Sequence, residues 1–254
     1  MRDARLIERL AGARPVVELS HPRQRTSGVV GVLWRAGQAR VICAHRCGLA
    51  DLPDSLGELS ALERLDVGHN ALPELPELPP SLRELYVDDN QLVQLPALPA
   101  LSVLDANRNR LAELPALLGI GFVYLAANRL TAAPATSGVR YLNVGDNPLG
   151  TLTCSDPAVE ELRAENAELT ALAIDGLAGV RELSLRGNRL ATLPGSLGAL
   201  SQLRSLDLRG NELDALPDTL LALPLAKLDL RWNPLRARPA WLDELSRRGC
   251  LVYT

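Results

Sequence analysis

Aromatic residues are scarce in this sequence. One phenylalanine, four tyrosines and three tryptophans make up 3% of 254 residues, although 47% of the chain is hydrophobic. The core is therefore aliphatic, and the abundance of leucine points to one packing solution used many times over. Lysine is scarcer still: Lys227 is the single copy against 26 arginines, a bias that a GC-rich genome or avoidance of ubiquitin attachment would each produce. Neither sign of charge prevails. A net charge of −3 excludes a general attraction to nucleic acid or acidic membranes.

Long hydrophobic runs are also missing. No uncharged stretch exceeds the 15 residues of Leu114 to Asn128, which contains Pro115 and falls short of the roughly 20 needed to cross a bilayer. The N-terminal MRDARLIERLAGARPVVEL interrupts its apolar residues with acidic ones and lacks the apolar segment of a secretory signal. Four cysteines are present. Cys43 and Cys47, four apart in an extended stretch, would sit roughly 13 Å from one another by strand rise, beyond the ~7 Å that a disulfide spans. Free thiols in a reducing compartment, hence a cytoplasmic location, are the expectation.

What the chain has is a repeat. Leu62, Leu65, Val67, Asn70, Leu72, Leu75 and Pro76 recur as Leu82, Leu85, Val87, Asn90, Leu92, Leu95 and Pro96 twenty residues on. The asparagine returns at Asn109, Asn128, Asn147, Asn188, Asn211 and Asn233, with Cys47 and Ala167 in the same place in two further copies. The spacings are 23, 20, 19, 19, 19, 20, 21, 23 and 22 residues. In LxxLxL the alternating leucines belong to a short strand with one buried face. The asparagine turns the chain, and its amide serves backbone groups that a tight buried turn would strand, each bond worth on the order of 1–3 kcal/mol. The following LxxLP closes the turn, and proline stops the strand. Copies of 19 or 20 residues leave no room for a helix on the return side, so PELPELPPS reads as extended or polyproline-like. The longer copies, with PDSLGELSA, PGSLGALSQ and PDTLLALPL, hold a helical turn.

These residues resemble the leucine-rich-repeat family. The middle copies, LPELPELPPSLRELYVDDNQLVQLPALP, are similar to the short-repeat class of bacterial effectors of the YopM and IpaH type, while the flanking copies look more like the common bacterial or plant-like kind. The resemblance implies an α/β right-handed solenoid, with a parallel sheet on the concave face, mostly extended or 3-10 return segments, and a protein-binding role. Effectors of this kind that act as ligases carry a separate catalytic domain after the repeats. The chain reaches only Thr254, so a complete protein without that domain is expected. Three regions follow: an N-terminal cap of helix and hairpin at 1–38, ten repeats at 39–238, and a C-terminal cap at 239–254. A helix at about Arg2 to Ala13 precedes the hairpin VVGVLW–RAGQ–ARVICA; at the other end Pro239 opens a short helix that Gly249 ends before a last strand. Ala167 interrupts the asparagine series with Asn166 one place early, so the coil from Val159 to Leu172 is expected to be loose.

No catalytic pattern stands out: there is no phosphate-binding glycine loop or nucleophile elbow, and the histidines are His21, His45 and His69. The expectation is no enzymatic activity and no cofactor. Cys43, His45, Asp66, His69 and Asp88 project from adjacent strands onto one face; a metal is conceivable there, but ordinary variable surface positions are the plainer reading. Arg186, Arg209 and Arg231 stand two places before their turn residues as a basic column, with Arg163 one column over. The opposite end carries Asp66, Glu84, Asp88, Asp89 and Asp105. The arginine column lacks the interleaved aromatics that nucleic acid wants, having only Trp232 nearby, and reads instead as a steering field for a polarised protein.

The sharpest candidate site is aromatic. Counting back six and four places from each turn residue gives the exposed face of each strand. Tyr86, Phe122, Tyr124 and Tyr141 all fall there, and only Tyr253 does not. Phe122 and Tyr124 share one strand and Tyr141 is on the next, roughly 4.8 Å away, so a contiguous patch is expected. With Trp232 and the three arginines, these are the expected contacts for a protein partner. The whole reads as a monomeric protein-binding scaffold, with two alternatives: a bacterial effector delivered into host cells without a cleavable signal, or a self-assembling structural element.

Overall fold

The computed structural model describes residues 2–98 and 101–254; the last proline of the LPALP stretch, Pro99, lies outside the described residues. The fold is a leucine-rich-repeat solenoid built on parallel strands. Two compact units divide it, Met1–Pro115 with Gly119–Tyr124, and Ala116–Leu118 with Leu125–Thr254.

In the first unit, strands Val16–Glu18, Val30–Arg35, Gln38–Cys43, Arg64–Asp66, Glu84–Tyr86, Val103–Asp105 and Phe122–Tyr124 lie side by side in chain order. In the second, Tyr141–Asn143, Glu161–Arg163, Glu182–Ser184, Ser205–Asp207, Lys227–Asp229 and Leu251–Tyr253 do the same. Within each unit the strand pairings among the described residues are parallel, except the hairpin of Val30–Arg35 with Gln38–Cys43. The middle residue of each three-residue repeat strand points inward, whereas Val17 of the N-terminal strand is exposed. Leu65, Leu85, Leu104 and Val123 in one unit and Leu142, Leu162, Leu183, Leu206 and Leu228 in the other are buried. Each such side chain contributes about 1.5–3 kcal/mol by leaving water.

Asparagine closes each coil as its spacing implied. Asn90 accepts from Leu72 N–H at 3.0 Å and donates to the carbonyls of Val67 and Val87, one in the preceding coil and one in its own. Asn147 does the same with Leu130 N–H, Leu125 and Val144; Asn211 with Leu190 N–H, Leu185 and Leu208. The residue before each turn position adopts a left-handed backbone in all ten repeats, from Arg46 (φ 53°) to Trp232 (φ 62°), and only Gly187 and Gly210 among them are glycine. That geometry carries the strand ladder one bond further: Gly187 N–H donates to Arg209 C=O, and Gly210 N–H to Arg231 C=O.

The coil at Ala167 is not loose. An asparagine there would have taken Leu149 N–H; instead Leu149 donates to the Ala167 backbone carbonyl at 3.1 Å. Glu168 adds a second left-handed residue (φ 54°) after Asn166 (φ 50°). The turn so made aims both Ala167 N–H and Leu169 N–H at Asn188 Oδ1, at 2.8 and 3.0 Å. Cys47 follows the same rule. Left-handed Gly48 succeeds it, and Asn70 Oδ1 accepts from both Cys47 and Leu49 N–H. At Ala167 the main-chain carbonyl has taken over the bond that an asparagine side chain would have accepted.

On the return side the longer repeats hold 3-10 turns at Asp54–Glu58, Gly195–Ala199 and Asp218–Ala222, each entered through a proline whose fixed φ suits the start. The shorter ones are extended, and more ordered than a polyproline segment without hydrogen bonds: Leu117–Leu118 pairs with Thr136–Ser137, and Thr151–Thr153 with Ala171–Ala173. The latter pair ties down the coil that bears Ala167. At the N-terminus helix Arg2–Ala11 buries Leu6, Ile7 and Leu10, and left-handed Gly12 (φ 56°) follows it. Strand Val16–Glu18, parallel to Val30–Val32, was not anticipated. Helix Trp241–Arg247 and left-handed Gly249 (φ 91°) lead into Leu251–Tyr253. All four cysteines are free and buried.

Candidate protein-binding face

With inward positions filled by leucine and turn positions consumed by the backbone, the first and third residues of each strand are left facing outward. Several of these have a structural task of their own. The carboxylates of Asp105, Asp207 and Asp229 accept the N–H two residues on, from Asn107, Arg209 and Arg231 at 3.1–3.3 Å, and Asn143 does so for Gly145. Such side-chain turns hold the chain as it leaves the strand.

The outward face of the first unit is partly roofed. The loop after Leu19 crosses the first two repeats: Thr26 Oγ1 donates to Val29 and Cys43 carbonyls, and Arg64 Nη1 donates to Pro22 C=O. Val41, Cys43, Arg64 and Asp66, all at outward positions, are consequently buried, Asp66 with 0% exposure. Arg25 descends from this loop to Asp66, Nε to Oδ2 2.9 Å. Tyr86 receives two guanidiniums, Arg64 at 4.7 Å and Arg25 at 5.3 Å from its ring centre, and its hydroxyl bonds Glu84. Burial, reinforced by Glu84, pushes the Tyr86 phenol up. The acidic end expected from the sequence is thus largely neutralised, with Arg64 also 3.8 Å from Glu84 and Arg108 3.6 Å from Asp88.

Four of the five residues of the constellation meet as histidine–aspartate contacts. His45 lies 3.6 Å from Asp66, His69 bridges Asp88 (3.3 Å) and Asp89 (2.7 Å), and the two imidazoles meet edge to face at 4.7 Å. Burial lowers the His45 pKa against the pull of Asp66. Among the described residues no group of three or more histidine, cysteine, aspartate or glutamate side chains is arranged to hold a metal. The reading of these five as ordinary surface positions is corrected too, since Cys43 and Asp66 are core-deep under the loop.

Phe122 and Tyr124 stand at the outward positions of one strand, paired with Val103 and Asp105. Phe122 is 36% exposed and Tyr124 half-buried. Tyr141, half-buried, holds the equivalent place in the second unit, opposite Glu161.

The arginine column of the second unit is not uniform. Arg209 grips Asp207 with Nε and Nη2 and reaches Asp229 at 3.5 Å; Arg231 grips Asp229 at 2.7 Å. Burial alone would raise the Asp229 carboxyl, but the bonds and charge of Arg231 and the charge of Arg209 hold it below its usual range. Arg186 is exposed without a salt bridge among the described residues. It lines a polar cleft of about 270 Å³ with Arg163, Glu182, Ser184, Ser205 and Lys227. Trp232 is 72% exposed, an unusual cost for an aromatic held left-handed; Arg231 stacks on it at 5.5 Å and on Tyr253 at 5.2 Å. Sequence reasoning missed Arg25, Ser184, Ser205 and Lys227. The serines and the lysine occupy the same counted columns as the aromatics and were open to the same count, whereas Arg25 lies outside the repeat period.

Repeat chemistry and fold together define a leucine-rich-repeat solenoid, and residues 167–213 and 178–235 match the leucine-rich-repeat family. The chain is similar to YopM, a leucine-rich effector protein of Yersinia pestis, at 28% identity over 76% of this chain and 61% of that one, with a TM-score of 0.63. YopM of Yersinia enterocolitica WA-314 matches at 25% identity, 88% and 59% coverage and a TM-score of 0.51. A chain of the Drosophila Toll–Spätzle complex shares the fold at 23% identity, 74% and 32% coverage and a TM-score of 0.54. This chain spans about 60% of the length of the two YopM chains.

Proposed function

We propose that this protein is a non-enzymatic, monomeric scaffold of the cytoplasm that binds another protein through the outward face of its strands. The observation that carries the reading is the use of the sparse aromatics. The only phenylalanine and three of four tyrosines stand on outward strand positions, where folding asks nothing aromatic, and Phe122 remains 36% exposed. Exposed aromatics on a rigid sheet are what protein hot spots are made of. Tyr86, Phe122, Tyr124, Tyr141 and Trp232 supply apolar anchors. Arg186 is the free charge of its column, while Arg209 and Arg231 act as pre-oriented pairs with Asp207 and Asp229. A second reading, delivery into a host cell as an effector, draws on the 28% identity to an effector protein.

The test is capture of the partner from native cells, followed by affinity measurement with altered chains. Phe122→Ala with Tyr124→Ala is expected to lose roughly thirtyfold in affinity, about 2 kcal/mol, with unfolding unchanged within about 1 kcal/mol. Val93→Ala, exposed on the return side, is the control and should bind as the unaltered chain does. Full affinity in the double variant would overturn the reading, and a captured partner that is a second copy would convert it to self-assembly.

A further inference from the structure

Arg25 is an imperfect occupant of the place it fills. We propose that Asp66, Tyr86 and Asp88 form a guanidinium pocket, closed in this structure by the chain's own Arg25 and built to receive an arginine side chain of the protein partner. The proposal rests on the protein-binding reading and gives the partner's chemistry at the Tyr86 end of the face.

The pocket has the parts that hold a guanidinium. Asp66 is a fully buried carboxylate on the floor, and a buried carboxylate demands a cation. Tyr86 is the stacking wall, already carrying Arg64 at 4.7 Å and Arg25 at 5.3 Å. Asp88, nine-tenths buried, is the second carboxylate. Gly68 lets the second carboxylate come close: a methyl group there would collide with Asp88 Oδ1 and press on His45 Nδ1, so both groups pack over a bare Cα.

Arg25 does not complete this site. Its Nε is 2.9 Å from Asp66 Oδ2, yet its N–H is not aimed at that oxygen, which has no hydrogen bond. Asp88 Oδ1 and His45 Nδ1 are likewise buried without a hydrogen-bond partner. Buried polar atoms are seldom left unmet, and several of them gathered on neighbouring strands mark a site awaiting a better fit. An arginine entering from solvent would bring five N–H donors in a planar fork, enough for two carboxylates and a stacked ring together; a lysine would bring neither plane nor fork. Arg25 is also replaceable. Its side chain is 47% exposed, and the loop is held at Pro22 by Arg64 and at Thr26 by Val29 and Cys43. Withdrawing Arg25 therefore leaves the loop's anchors in place.

The experiment is a nuclear magnetic resonance titration with capped Gly-Arg-Gly, using Gly-citrulline-Gly and Gly-Lys-Gly as comparisons. In Arg25→Ala, Gly-Arg-Gly should shift the Asp66, Tyr86 and Asp88 signals saturably. Its affinity should be about tenfold above that of the unaltered chain, whose pocket would be open only about a tenth of the time. The citrulline peptide should not bind, the lysine peptide should bind more weakly, and Asp66→Asn added to Arg25→Ala should abolish the response. Equal affinity in Arg25→Ala and the unaltered chain, or equal binding of the citrulline peptide, overturns the proposal. Should Arg25→Ala not fold, two measurements replace it. Arg25→Gln keeps much of the side-chain stem and carries the same expectations, and excess Gly-Arg-Gly on the unaltered chain should shift the Arg25 Nε–H signal saturably as that guanidinium leaves Asp66. An unmoved Arg25 signal at saturating peptide would be equally fatal. None of these readouts involves the partner, so their failure leaves the reading tested at Phe122 and Tyr124 standing.

Discussion

The two units use one repeat to build two different faces. In the first, the outward residues of the leading strands are sealed beneath a loop, and Arg64 and Asp66 are buried charges that depend on Arg25 and on each other. In the second, the corresponding residues range from exposed Glu182 and Lys227 through half-buried Ser184, Ser205 and Asp207 to a buried Asp229. Arg186 and Lys227 line a cleft floored by Ser184 and Ser205, and the carboxylates of Asp207 and Asp229 are spent on turns and on their neighbouring arginines. A position in the repeat therefore fixes where a side chain points, not how much water it meets. At one register, Asp66 is fully buried beneath a loop arginine, whereas Asp207 is partly exposed and gripped by its own neighbour Arg209.

The largest expected effect tests that contrast. Asp66→Ala strands Arg64 and Arg25 around a buried hole and should lower unfolding stability by about 3 kcal/mol, in the range for removing one partner of a buried pair. Asp207→Ala, at the same register in the second unit, gives up one turn bond and a more exposed pair and should cost about 1 kcal/mol. Urea denaturation of both compares them directly; similar losses would mean the loop seals nothing of energetic consequence.

Asp105 sharpens the comparison, since it stands between the two situations. Burial, with Asp88 adding to it, raises its carboxyl to about 6 despite the Asn107 N–H and the nearby Arg25 and Arg108. The folded chain thus holds this proton more tightly than the unfolded one. The favourable contribution is complete below about pH 4 and is lost as pH rises through 6. Asp105→Asn keeps an acceptor for the Asn107 N–H without the charge. It should stabilise by about 1–2 kcal/mol at pH 7.5 and by nothing near pH 4, read from denaturation midpoints at the two values. A gain of the same size at both would assign the effect to packing.

The smallest effect concerns the turn positions. From the sequence, restoring the missing asparagine with Ala167→Asn promises about 1 kcal/mol. In the structure, Leu149 N–H is already taken by the Ala167 carbonyl, and the alanine side chain is buried with the turn rearranged around Glu168. No gain is expected, and amide exchange at Leu149 should match that at Leu130, which bonds Asn147.

What could be read from the sequence was whatever recurs. Asparagine spacing gave the coils, the prolines before Asp54, Gly195 and Asp218 gave the 3-10 turns, and the count back from each asparagine put Phe122 and Tyr141 on outward strand positions. What could not be read has no period. The loop carrying Arg25 lies outside the repeats, so nothing in their register places it over Asp66. The left-handed residue before every turn is Arg, His, Asp, Ala, Asn, Gly or Trp, and the ladder imposes that conformation on all of them without a shared composition. Ala167 looked like a gap because only side chains are visible in a sequence, and it was a carbonyl that filled it.

The central claim is that a protein partner docks on the outward strand face. Hydroxyl-radical footprinting of the chain with and without its captured partner tests this most directly, because Phe122, Tyr124, Trp232 and Trp241 are intrinsic probes. The account predicts protection of Phe122 and Tyr124 on binding, with Trp241, whose indole N–H donates to Asp218, unchanged. Protection of Trp241 and the return-side leucines, with Phe122 and Tyr124 as reactive as in the free chain, would contradict it.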